Sequence, residues 1–373
     1  MKHQFLTVLP RHNSVGVIIL VVLTLIAARQ GIGQTRQYVV TELSDNDRAG
    51  VPCKLNNFGD IAGRGASKGG SRATVWERSN FRSKGLSVLM NGDYSSAFDI
   101  NDLGDVAGVS NTGSAIIPIV WMAKGGLNRI PLLPGDNCGQ ATAINKFGNV
   151  VGYSSGGGGA KAFVWRRNIG LRNLGTLPGG HYSTALDIND SEEAVGSSDS
   201  SNGERAVLWT KEGGIVDLGT LPGDWVSEAS AINNSSEVVG YSKGARGTRA
   251  FVWNSTRGMQ EIGVLPGGNS SRAADINDRG EVVGISTSTA GEHAFIWTKQ
   301  SGIADLNSVD SARLGFVFIE AHAVNTRGQI IVMGRSGDEA AMNNAMSSEH
   351  SQVCAPAPPA SFLLTPAPLT RQP

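Results

Sequence analysis

The chain reads as an all-β fold: a seven-bladed β-propeller of four-stranded blades, with the N-terminal strand completing the last blade. Three observations predict it. An aliphatic residue followed by Asn recurs at Asn56, Asn101, Asn145, Asn189, Asn233, Asn277 and Asn325, at steps of 45, 44, 44, 44, 44 and 48 residues. A tryptophan ends an apolar run at Trp76, Trp121, Trp165, Trp209, Trp253 and Trp297, at steps of 45, 44, 44, 44 and 44. Between recurrences lie four short extended runs and no stretch with the 3.6-residue period of a helix. Two independent markers sharing one period are not a coincidence of composition.

The fifth unit shows the four runs: Ala229–Asn233, Glu237–Tyr241, Arg249–Trp253 and Met259–Gly263. Each is rich in β-branched or aromatic residues and bounded by Gly, Asn, Ser or Pro, the signature of short strands. Four positions before each marker Asn stands Ala97, Ala141, Ala185, Ala229, Ala273 or Ala321, with Pro52 as the exception. A small residue there suits innermost strands that converge on an axis. There are seven marker Asn residues but six marker tryptophans. Tyr38–Leu43 reads as an outermost strand with no blade before it. The last unit has two good runs, a poor third near Ala340-Ala341-Met342, and no fourth. Lending the first strand to the last blade closes the ring and leaves no open edge. An open superhelix of the same units is the competing arrangement.

The repeat spans residues 38–345 of 373. Before it, residues 1–33 have the form of a signal peptide or N-terminal anchor. Lys2 and Arg11 flank a 14-residue apolar run, Val15–Ala28, and Gly31-Ile32-Gly33 precedes a cut at Gln34. That run is shorter than the roughly 20 residues a membrane-crossing helix needs. The expected localisation is extracellular or periplasmic, with membrane contact only through an uncleaved N-terminal segment. After the repeat, residues 346–373, with Ala355-Pro356-Ala357-Pro358-Pro359 and Pro366-Ala367-Pro368, read as a Pro-rich disordered tail. Lys plus Arg and Asp plus Glu are both 32, so no nucleic-acid partner is expected. Cys53, Cys138 and Cys354 are too few and too scattered for a disulfide framework or a metal-ligand spacing.

The Asn-x-x-Gly elements, such as Asn277-Asp278-Arg279-Gly280, read as tight hairpin turns. A calcium reading of Asp275-x-Asn277-Asp278-x-Gly280-Glu281 fails by one residue of register. Asp occurs two before the marker only at Asp99, Asp187 and Asp275; Lys54, Ala143, Ala231 and Ala323 stand there in other units. The marker tryptophans suit packing between blades. Trp225 lies outside the period, so no core position explains it. It follows Leu221-Pro222-Gly223-Asp224, one of four loops with Leu133-Pro134-Gly135-Asp136, Leu177-Pro178-Gly179-Gly180 and Leu265-Pro266-Gly267-Gly268. These loops join the fourth strand of one blade to the first of the next. Variable residues on a constant Pro-Gly turn are where binding residues sit. The candidate ligand-binding residues are therefore Asp136, His181, Tyr182, Asp224, Trp225, Asn269 and Arg272. The opposite face, with Arg166, Arg167, Lys211, Arg257 and Lys299 against Asp105, Glu192, Glu193, Glu237 and Glu281, has the mixed charge of a solvated surface. His293 takes the strand position of Lys161, Arg205 and Arg249 and reads as structural.

As a set, His293-Ala294-Phe295-Ile296-Trp297, Leu174-Gly175-Thr176-Leu177-Pro178-Gly179-Gly180 and Ile276-Asn277-Asp278-Arg279-Gly280-Glu281-Val282-Val283-Gly284 resemble the bacterial HAF family of extracellular repeats. The similarity spans most of residues 38–335; Lys161, Arg205 and Arg249 replace the family's His, and the seventh unit lacks its Trp. The resemblance implies an exported bacterial protein and supplies no activity or functional residues. No nucleophile elbow, zinc-binding helix or phosphate loop is present, and no cofactor is expected. The leading reading is a non-catalytic binding or interaction module for an extracellular or envelope ligand, a glycan or a protein. The alternative is a secreted carbohydrate-active enzyme, a hydrolase or lyase, with its site at the propeller mouth. Such an enzyme needs convergent carboxylates, which Asp136 and Asp224, two blades apart, do not supply.

Overall fold

The computed structural model describes residues 18–25, 36–45, 48–67, 70–307, 315–336 and 360–367. Its strands form seven antiparallel sheets around a central channel. In six of them the four strands follow one another in sequence, and the innermost comes first. The innermost strands are Val51–Leu55, Ser95–Ile100, Asp136–Ile144, Ser183–Ile188, Asp224–Ile232 and Ser271–Ile276. The seventh blade takes Phe316–Val324, Ile330–Ser336, Ala360–Pro366 and Arg36–Asp45, so both ends of the chain meet in it. Ile18–Leu25, inside the expected signal segment, pairs outside Arg36–Asp45. The remainder of residues 1–33 lies outside the described residues.

The strand expected to close the ring does so, but the seventh blade departs from the sequence reading in one element. Its third strand is Ala360–Pro366, drawn from the segment read as a tail. Ala340-Ala341-Met342, expected in that place, lies outside the described residues, as does residue 346–359 of the tail. The physical reason is legible in the register. Ile330 faces Leu364 as Val150 faces Trp165, and Val332 faces Phe362 as Gly152 faces Phe163. Ser361-Phe362-Leu363-Leu364 thus repeats Ala162-Phe163-Val164-Trp165, with leucine for the marker tryptophan. Phe362, Leu363 and Leu364 are buried. Burial of three such side chains outweighs the proline-rich composition on either side.

Blades pack face to face through seven apolar clusters. The alanines of the innermost strands are buried in these layers, and the marker tryptophans are buried or half-buried. Each innermost strand carries a bulge just after its Ala or Pro52, for example between Ala185 and Asp187. The Gly of the second strand accommodates it. A Cβ on Gly63, Gly108, Gly152, Gly196, Gly240 or Gly284 would stand 1.9–2.2 Å from the carbonyl oxygen of the bulged strand. Close backbone approach therefore fixes these glycines.

The marker asparagines lock the ring. Nδ2 of each donates to the backbone carbonyl of the next: Asn56 to Asn101, then Asn145, Asn189, Asn233, Asn277 and Asn325, at 2.8–3.2 Å. Asn325 Nδ2 donates to Asn56 O at 3.0 Å and completes the circle, which an open superhelix would not permit. Oδ1 of the same side chains accepts from backbone N–H groups two and four residues on, as Asn233 does from Ser235 and Glu237. One side chain thus shapes its turn and joins two blades. Glu193, Glu237 and Glu281 accept the second Nδ2 hydrogen of Asn189, Asn233 and Asn277, so these acids serve the ring as well as the surface.

Candidate functional site

The Leu-Pro-Gly loops and the turns between second and third strands share one face. They are tied together there. Lys161 Nζ donates to His181 O, Arg205 Nη1 to Trp225 O at 2.7 Å, and Arg249 Nη1 to Asn269 O. The basic residues at that strand position thus hold the loop of the following blade in place. His293 instead pairs with Asp305 Oδ2 at 2.6 Å, a structural contact as its position suggested.

Several candidate residues belong to this fastening. Asp136 Oδ2 accepts from Ser154 Oγ at 2.6 Å, and Asp224 Oδ2 from Ser242 Oγ at 2.7 Å. In alternate blades the loop has Gly180 or Gly268, and Asp199 or Thr287 reaches back from the neighbouring turn to the N–H groups of His181 and Tyr182, or of Asn269 and Ser270. Asp136, Asp224 and the backbone of Asn269 are therefore loop fasteners. The His181 side chain is 89% exposed and sits 4.0 Å from Asp199.

The other three candidates converge between the fourth, fifth and sixth blades. Tyr182 OH donates to Glu204 Oε1 at 2.5 Å. Arg205 Nη1 bonds both Glu204 O, at 2.9 Å, and Trp225 O, which sets Glu204 beside the tryptophan loop. Ser227 N donates to Glu204 O at 3.3 Å, and Glu228 follows. Glu228 pairs in register with Tyr241, over whose ring the Arg272 guanidinium lies at 4.5 Å. Burial raises the Glu228 carboxyl above its ordinary range; Glu204 raises it further and Arg272 opposes. Burial, then Glu204, raises the Tyr182 phenol, and burial with Glu228 raises Tyr241. Trp225, 53% exposed, is carried on the loop whose carbonyl Arg205 holds next to Glu204. The cleft can accept hydrogen bonds at two carboxylates, donate from Arg272, and stack a ring on an indole.

The channel presents a different chemistry at the Asn-x-x-Gly end. Its cavity of about 190 Å³ is lined by the Asn ring, Lys54, Asp99 and Asp275. Asp99, Asp187 and Asp275 each accept a backbone N–H of the following blade, from Ile144, Ile232 and Val324, at 2.8–2.9 Å. Lys54 Nζ reaches Asp275 Oδ1 at 2.5 Å. Burial pushes Asp99 up to about 7 against the pull of Lys54, and raises Asp187 likewise. The carboxylates of the Asp275 turn are spent on these bonds. Asp278 accepts from Asn234, and Glu281 from Asn277. Among the described residues no group of three His, Cys, Asp or Glu is placed to hold a metal.

No family model and no curated protein sequence matches the chain. Solved structures do match in fold. A catalytically inactive virginiamycin B lyase from Staphylococcus aureus, with quinupristin, superposes with a TM-score of 0.54 at 10% identity. The match covers 88% of this chain and 99% of that one. The selenomethionine-substituted lyase from the same organism gives 0.52 over the same shares, also at 10% identity. A prolyl endopeptidase gives 0.53 at 9% identity over 86% of this chain and 55% of its own. At such identities the likeness shows a propeller and nothing of its chemistry. No described helix is long and apolar enough to cross a membrane.

Sequence reasoning found Tyr182, Trp225 and Arg272 through loop variation but missed Glu204, Glu228 and Tyr241. Glu204 immediately precedes the strand Arg205–Trp209, and Glu228 and Tyr241 lie in the middle of theirs, away from the Pro-Gly loops where variation drew attention. Glu228 alone carried a signal: the residue before each marker-spaced Ala or Pro52 is Val51, Ser96, Gln140, Thr184, Glu228, Arg272 or Glu320, a column the repeat leaves variable.

Proposed function

We propose that the protein is an exported, HAF-like binding propeller that takes a glycan of the cell envelope or surroundings in the cleft of Trp225, Glu204, Glu228 and Arg272. The observation that carries this reading is the convergence of two carboxyl groups, an arginine and two tyrosines beside the loop that carries the exposed Trp225. Paired carboxylates and a guanidinium accept and donate to hydroxyl groups, and the indole covers the apolar face of a sugar ring. The apolar segment ahead of the repeat supports export. Calorimetry of the purified full chain against envelope polysaccharides and their oligosaccharides tests it. Binding should weaken at least about tenfold in Trp225→Ala and Arg272→Ala. Unchanged affinity in both variants would remove the site.

The two glutamates also favour a second reading, a hydrolase or lyase acting on such a glycan. Glu228 keeps its proton to higher pH than an ordinary carboxyl and would serve as the acid, with Glu204 as the second carboxyl group of the pair. Release of reducing ends or unsaturated products, lost in Glu228→Gln, supports this reading. Binding without turnover excludes it.

A further inference from the structure

We propose that the cleft between the second and third blades is a separate site for an uncharged, ring-bearing small molecule with a mostly apolar surface. The cleft is a cavity of about 930 Å³, within the size range of small-molecule sites. Tyr94, Phe98 and Tyr153 bring three aromatic rings to its wall, and Ile116 adds an exposed aliphatic edge. No Asp, Glu, Lys, Arg or His lines it. Hydrogen-bonding capacity is left over. Gln140 Oε1 accepts from Tyr153 OH at 3.4 Å, while Gln140 Nε2 and the Asn137 amide have no partner among the described residues. Burial raises the Tyr153 phenol, so it stays a neutral donor.

The cavity is the counterpart of the charged cleft, two blades earlier. Tyr94 answers to Tyr182, Ile116 to Glu204, Asn137 to Trp225, Gln140 to Glu228 and Tyr153 to Tyr241; each pair is 88 residues apart, as 228 less 140. Gln140 pairs with Tyr153 in register as Glu228 pairs with Tyr241. One scaffold is therefore present twice, and in this copy both carboxylates are replaced by uncharged groups. A charged ligand entering it would lose water and meet no counter-charge. An uncharged ring system loses little, gains aromatic and aliphatic contact, and has two amides to orient it. Neutral sugars, which need directed polar partners around the whole ring, fit a mostly apolar wall less well.

This inference rests on the cavity and its lining, not on the glycan reading, and is measured with a different probe. The full chain is titrated with the neutral dye N-phenyl-1-naphthylamine and with its anionic relative 8-anilino-1-naphthalenesulfonate, followed by fluorescence. Saturable one-to-one binding of the neutral dye is expected, with the anion at least about tenfold weaker. The double substitution Ile116→Glu with Gln140→Glu copies the residues of the charged cleft, which this backbone already accommodates. It should weaken the neutral dye at least about tenfold. Ile169→Glu, at an exposed apolar residue in a turn of the opposite face, should leave it unchanged. Bound dye should also slow alkylation of Cys138, a free thiol on the cavity wall, read by peptide mass spectrometry. Equal binding of the two dyes, full binding in the double variant, loss in Ile169→Glu, no dye binding, or displacement of the dye by a neutral oligosaccharide would each overturn the proposal.

Discussion

Replacing Lys54 with Met should destabilise the propeller by about 3–5 kcal/mol at pH 8, and by roughly half as much at pH 5. Lys54 is the cation placed among Asp99, Asp187 and Asp275 in the channel, 25% exposed against 8% for Asp275. At the 2.5 Å contact with Asp275, an effective dielectric of about 20 gives a gross attraction of roughly 7 kcal/mol. Desolvation consumes part of that, which brings the cost of breaking the pair to the stated range. The pH window follows from the groups involved. Burial alone would lower the Lys54 ammonium, but the three aspartates hold it above the ordinary lysine range. Its own contribution is therefore constant below about 10.5 and is lost only at higher pH. Asp99 behaves the other way. Its folded pKa of about 7 exceeds the ordinary aspartate value of 3.8, so ionising it costs stability as pH rises between those values. Asp187 is raised in the same direction. Without Lys54 both rise further, so the deficit is fullest above pH 7 and shrinks as they protonate. Urea unfolding of the two proteins at pH 5, 6.5 and 8 measures it. A deficit that does not vary with pH, or one below about 1 kcal/mol, would refute the electrostatic account of the channel.

Three further perturbations test the frame. Asn233→Asp keeps the turn's acceptor, but sets a carboxylate against Asn277 O and Glu237, the present partners of Nδ2. It should cost about 3–5 kcal/mol in denaturant unfolding at pH 8, and less at pH 4.5. Gly240→Ala drives a Cβ to within 2.0 Å of Glu228 O, so a loss of about 3 kcal/mol or more is expected, seen as a lower melting temperature. A chain ending at residue 359 loses the buried Phe362, Leu363 and Leu364, about 5–9 kcal/mol of apolar burial. It should show no cooperative transition. A chain ending at 367, the last residue with a described bond, Ala367 N to Gln37 O at 2.8 Å, should melt as the full chain does.

The repeat was legible because its markers answer to hard constraints. Asn189 must bond its own turn and the next blade, and Gly196 must clear a carbonyl, so neither varies and both announce the period. The closing strand was legible for the same reason, since Tyr38–Leu43 had no blade of its own. Ala360–Pro366 was not, because Leu364 replaces the tryptophan that marks a third strand, and prolines on both sides obscure a run of four apolar-compatible positions. The candidate site was half legible. Exposed residues on the Pro-Gly loops could be found from variation alone, which gave Trp225 and Arg272. Whether an aspartate after Pro-Gly meets a ligand or a serine depends on the partner strand, and Ser154 and Ser242 claim Asp136 and Asp224. Glu204 and Glu228 lie 24 residues apart (228 less 204) on different blades, and only blade packing brings them to one cleft.

Beneath the 44-residue step runs a two-blade alternation, and an odd number of blades cannot satisfy it. Asp99, Asp187 and Asp275 each reach a backbone N–H in the next blade, where the equivalent position is Ala143, Ala231 or Ala323. Three Asp–Ala pairs account for six blades. The first blade is left over, and an aspartate there would add a fourth carboxylate to the channel, while an alanine would leave three without a counter-charge. Lys54 resolves the frustration by crossing to Asp275. The same pairing of blades repeats the Tyr-lined clefts, with carboxylates in one and an isoleucine and a glutamine in the other. Alternation sets where a cleft forms, and substitution at two positions, Ile116 against Glu204 and Gln140 against Glu228, sets what charge it holds. A ring built from identical units thereby acquires distinct sites without disturbing the bonds that close it.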